Sequence, residues 1–62
     1  MYVLLYSASQ DCFHIETVAA MVEGNILRYL EGRKGDYITL AFGSTVEELR
    51  EIKRQLVTRR NQ

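Results

Sequence analysis

The stretch CFHIE, residues 12–16, alternates without a break: Phe13 and Ile15 fall on one side, and Cys12, His14 and Glu16 on the other. Successive side chains of a β-strand point to opposite faces, so this pattern describes a strand with one apolar and one mixed side. Ahead of it, MYVLLYS is short, apolar and rich in Val, Leu and Tyr, which suits another strand. Only the polar ASQD separates the two, as in a hairpin. Placing Ser7 opposite Cys12 gives the facing pairs Tyr6–Phe13, Leu5–His14, Leu4–Ile15 and Val3–Glu16. Facing residues share a side of the sheet. One side then collects Tyr2, Leu4, Tyr6, Phe13 and Ile15, and the other Val3, Leu5, Ser7, Cys12, His14 and Glu16. A slip of one residue would mix the two sets, which supports this register.

The period changes in TVAAMVEGNILRYLEGR. Thr17 suits an N-cap, and Val18, Met21, Val22, Ile26, Tyr29 and Leu30 recur at helical spacing before Gly32. Gly24 weakens this helix by about 1 kcal/mol relative to Ala, and marks a kink or a close approach by another backbone. The competing reading continues the second strand towards Ala20 and starts the helix near Val22. RKGD is turn material, and DYITLAF is a third strand with Ile38, Leu40 and Phe42 towards the core and Tyr37, Thr39 and Ala41 behind them. In GSTVEELREIKRQLVTRR, Ser44 with Glu47 and Thr45 with Glu48 both fit a capping box, and Val46, Leu49, Ile52 and Leu56 form a narrow apolar stripe.

The predicted fold is α+β: a single domain over residues 1–62, with a small three-stranded, mainly antiparallel sheet and two helices on one face, order ββαβα. A right-handed crossover from the second strand to the third, with strand order 2-1-3, leads to that arrangement. The helices would cover Leu4, Tyr6, Phe13, Ile15, Ile38, Leu40 and Phe42. The opposite side, carrying Val3, Leu5, Cys12, His14, Tyr37, Thr39 and Ala41, would stay open, and an exposed patch of this kind marks an interface.

Size sharpens that expectation. A chain of 62 residues buries only about 60% of its unfolded surface, and small domains are reinforced by disulfides, a metal or association. Cys12 is the only cysteine, which excludes an internal disulfide and fits a reducing, cytoplasmic setting. One Cys and one His do not make a four-ligand zinc site. Self-association is the reinforcement left. No apolar run approaches the roughly 18 residues of a membrane span, and no basic stretch precedes YVLLY, so a soluble chain is expected.

The cluster DCFHIET raises the question of chemistry. Cys12, His14 and Glu16 project from one face, but same-side residues stand about 6.6–7 Å apart along a strand, so a metal needs ligands from a second element. No other Cys or His exists to supply them. A Cys–His nucleophile pair needs direct contact and an orienting third group, which Glu16 could supply only by reaching along the strand. A half-exposed sheet face with a satisfied histidine outweighs both readings, so no metal, cofactor or enzymatic activity is expected. EGRKGD lacks the spacing of a phosphate-binding loop and is better read as a helix stop and a turn. The four tyrosines could stack bases, but Tyr2 and Tyr6 belong to the predicted core face.

Charge is neutral overall yet divided, with −3 over residues 1–27 and +3 over residues 28–62. A neutral total argues against non-specific DNA coating. Lys53, Arg54, Arg59 and Arg60 could still contact phosphates, against the simpler reading of a solvated helix end. The function expected from sequence is a small non-enzymatic interaction protein, homodimeric or docking on a larger protein, through Val3, Leu5, Cys12, His14, Glu16, Tyr37 and Thr39. A nucleic-acid-binding regulator using the basic C-terminal helix is the alternative. Chains this short without a catalytic constellation are often accessory proteins of phages or mobile elements, an origin expected here from size and the lack of a site.

Overall fold

In the computed structural model, which describes residues 1–61, the alternating segment is β2, Cys12–Thr17, paired antiparallel with β1, Tyr2–Ser7. The register is the one read from the sequence: Ser7 faces Cys12, Tyr6 faces Phe13, and the ladder continues to Tyr2 opposite Thr17. Asp11 closes the turn with a positive φ of 50°, a conformation that aspartate tolerates better than most residues. Thr17 ends the strand and caps α1, Val18–Leu30, its hydroxyl accepting from the Ala20 N–H at 3.1 Å. The helix closes in a Schellman motif: Gly32 at φ 73°, Arg33 N–H donating to the Arg28 carbonyl, and Gly32 N–H to that of Tyr29.

The third strand, β3, spans Tyr37–Gly43 and pairs antiparallel with β1, completing the order β2-β1-β3. The chain is therefore an α+β fold of order ββαβα, as predicted. In α2, Val46–Arg60, the competing capping boxes resolve in favour of Thr45, whose hydroxyl accepts from the Glu48 N–H at 3.2 Å. The Glu48 carboxylate returns to the Ser44 N–H rather than to that of Thr45.

The helices lie on opposite faces of the sheet, which corrects the expectation that they share one. Over the Tyr6 and Phe13 side runs α2, with Lys53 stacked on the Phe13 ring, Arg60 on the Tyr6 ring, and Leu49 fully buried. Across the other side runs α1, where Met21 meets Thr39, and Ala20, Gly24 and Arg28 line a cleft with Leu5, His14 and Tyr37. Val3, Leu4 and Leu5 are accordingly all buried, on both faces of the central strand. The right-handed rule governs only a helix that links two parallel strands, and α2 does not.

A bulge in β3 makes a second correction. Leu5 pairs with Thr39 but Leu4 with Ala41, so Leu40 is the extra residue. Beyond it the alternation reverses: Ala41 takes the α2 side, and Phe42, expected in the core, stands opposite Val3 on the other side and is exposed. The turn between β1 and β2 is tied to the start of β3 by Asp36, whose carboxylate accepts from the Ser7 and Ser9 hydroxyls. Ser7 is fully buried, and these bonds hold the Asp36 carboxyl below its ordinary range, Ser7 being the larger cause.

Candidate functional site

The residues expected to form an open interface separate into two groups. Val3 and Leu5 are buried, Leu5 beneath α1, and are unavailable to a partner, so the sheet face is not the open layer anticipated. Cys12, Glu16 and Tyr37 are half-buried, while His14 and Thr39 are exposed. His14 stacks edge-on against Tyr37, ring centroids 5.1 Å apart. The Cys12 thiol points to the Gln10 side-chain oxygen at 3.5 Å and not to His14. Asp11 belongs to another face altogether, accepting from Tyr6 at 2.5 Å and from Arg60 at 3.2 Å. Those bonds, the Tyr6 hydroxyl first and the Arg60 charge second, hold its carboxyl below the usual aspartate range. The DCFHIET cluster is thus dispersed, and among the described residues no three metal-ligating side chains converge.

His14, Glu16 and Tyr37 instead wall a cleft of about 180 Å³ beneath α1, with Leu5, Ala20, Gly24 and Arg28. Arg28 was not anticipated. Its spacing from Ala20, Met21 and Gly24 puts it on the inward stripe, and its guanidinium packs along Gly24, 3.5 Å from where a Cβ would stand. One nitrogen donates to Asn25 at 3.2 Å, whereas Nε is buried and finds no partner among the described residues.

The larger surprise is the outer side of α1. With Met21, Gly24 and Arg28 turned inward, most of the apolar residues predicted as core are turned out: Ile26 is 53% exposed, Leu30 71% and Tyr29 81%, with Val22 and Leu27 beside them. Ala19, Val22, Glu23, Ile26 and Leu27 outline a shallow apolar depression of about 530 Å³. Ala19, Val22, Ile26 and Tyr29 follow the 3-4 spacing of a helix-packing seam, with Leu30 completing it. Glu23 is the one carboxylate within that face.

The basic C-terminal residues are largely engaged within the chain. Arg54 forms a two-pronged pair with Glu51, at 2.5 and 2.9 Å, lowering the Glu51 pKa. Lys53 covers Phe13, and Arg60 covers Tyr6 while pairing with Asp11. Arg59 is exposed in the last turn. Among the described residues no helix is long and apolar enough to cross a membrane. No family model, curated protein or solved structure matches the chain.

Proposed function

We propose that the chain is a small non-enzymatic protein-interaction module that docks a partner helix against the outer face of α1. One observation carries this reading, the surface left exposed. A folded monomer of 7.2 kDa is expected to expose about 4,100 Å². This chain exposes 4760 Å², a surplus of about 600 Å². Each partner in a standard interface buries about 800 Å². The radius of gyration of 12.4 Å likewise exceeds the roughly 10.6 Å of a compact chain of this length. Helical spacing of the exposed side chains favours a helix as the occupant over an extended strand.

His14 and Glu16 line the cleft beneath α1 rather than its outer face. A cytoplasmic setting suits the free thiol of Cys12. Nucleic-acid binding through Lys53, Arg54, Arg59 and Arg60 is the weaker reading because three of the four already have partners within the chain. A gel shift at two salt concentrations tests it.

The docking face is tested with Ile26→Glu and Tyr29→Ser. Both are expected to keep the circular dichroism of the parent and a cooperative melt in dilute protein while losing association, whether with itself in sedimentation or with a host protein in quantitative affinity capture. Unfolding of either variant would mean that this face is interior, and unchanged association would mean that it binds nothing.

A further inference from the structure

From this docking face, and resting on it, we infer that the partner helix is α1 of a second copy, packed antiparallel across a two-fold axis at Ile26. Glu23 decides the orientation. It sits inside the apolar face, beside Ile26 and Leu27. A parallel pair would set the two Glu23 carboxylates against each other in an apolar seam, where like charges repel and desolvation makes the repulsion worse. An antiparallel pair centred on Ile26 separates them by about 9 Å along the axis, at a rise of 1.5 Å per residue.

Each Glu23 then lies opposite the partner's Tyr29, with a hydroxyl to donate, and faces the partner's helix end. That end is net basic: Arg33 pairs with Glu31 at 2.7 Å and Lys34 is the cation in excess, whereas α1 carries no basic residue before Arg28. The match between an acidic first half and a basic second half exists only in the antiparallel sense, in which the helix dipoles also oppose. Apolar residues would then face apolar residues, Val22 meeting Leu30 and Ile26 meeting Ile26 of the other copy. The isologous contact closes on itself, so association stops at two.

Purified protein in the Cys12→Ser background provides the test. Wild type is expected to sediment as a dimer. Ile26→Cys is expected to form an interchain disulfide on oxidation, because at the axis the two copies of residue 26 adjoin. Ala19→Cys is expected not to, since antiparallel packing puts its two copies about 21 Å apart along the axis. Glu23→Lys should weaken dimerisation by about tenfold or more, with recovery when Arg33→Glu and Lys34→Glu are added. Equal cross-linking of both cysteine variants would establish a parallel seam and overturn the inference. A wild-type monomer at every concentration would also overturn it. If Ile26→Glu still lost a captured host protein in that case, the docking face would stand with a different partner.

Discussion

Leu49 and Ile26 are both aliphatic, both helical and both drawn from predicted apolar stripes, yet the structure gives them opposite roles. Leu49 is 0% exposed and Ile26 53%. Truncating a fully buried leucine to alanine removes its transfer energy and leaves a cavity, for a loss of about 3 kcal/mol. At 0.05–0.15 kcal/mol per residue, a chain of 62 residues has about 3–9 kcal/mol of stability in total. Leu49→Ala therefore removes a third or more of it. With a urea slope of about 1 kcal/mol per molar, the midpoint should fall by about 3 M, or the variant should be unfolded in buffer. Ile26→Ala removes three carbons that are already half in water, a loss of about 1 kcal/mol, part of which alanine's better helix propensity returns. Its midpoint should fall by less than about 1 M in dilute protein. Urea titrations followed by circular dichroism, at two protein concentrations, provide the measurement. The Leu49 deficit should not change with concentration. The Ile26 deficit should grow with it, because in the proposed dimer only the Ile26 variant loses the stabilisation that association supplies. An Ile26→Ala deficit equal to that of Leu49→Ala in dilute protein would show that α1 turns its apolar stripe inward, and would refute the orientation described above.

The glycines give a second contrast. A Cβ at Gly24 would meet the Arg28 guanidinium at an ordinary 3.5 Å, so Gly24→Ala should stabilise by up to about 1 kcal/mol through helix propensity. A Cβ at Gly43 would come within 3.2 Å of the Leu49 side chain, which is itself enclosed, so Gly43→Ala should lower the melting temperature. Equal effects of the two would contradict the packing of α2 on β3. Acid titration reports on the carboxylates. Asp11, Asp36 and Glu51 all have depressed native pKa values, through Tyr6, Ser7 and Arg54 respectively. Their contribution is present above the unfolded-state pKa, and it is lost as pH falls through the native value. Melting temperature should thus decline below about pH 5, and less steeply in Asp36→Asn. A melting temperature that holds or rises towards pH 2 would be incompatible with those bonds.

Much of the architecture was legible because it is local. Alternation at Phe13 and Ile15 assigned β2 and its register, since only one pairing separates the two sets of side chains. Thr17, Thr45 and Gly32 marked helix ends through hydrogen bonds that span a few residues. The placement of the helices was also partly written in the chain, but in a different signal. YVLLY does not alternate, and an unbroken apolar run is what a strand covered on both faces requires. Read with that rule, Val3 and Leu5 are interior residues rather than interface residues.

By itself, then, the sequence determined the five elements, their order and the hairpin register, and narrowed each helix start to two candidates, because each depends on neighbours along the chain. Tertiary structure alone decided the bulge at Leu40, which sends Phe42 across the sheet, and the rotation of α1. That helix is apolar on more than one side, so its pattern admits several inward faces. The inward face is that of Gly24, Met21 and Arg28, and it is fixed by contacts with Leu5, Tyr37 and Thr39, which are distant in the chain. The seam from Ala19 to Leu30 was left outside as a consequence, since no local pattern distinguishes an apolar stripe meant for the chain's own core from one meant for a second molecule.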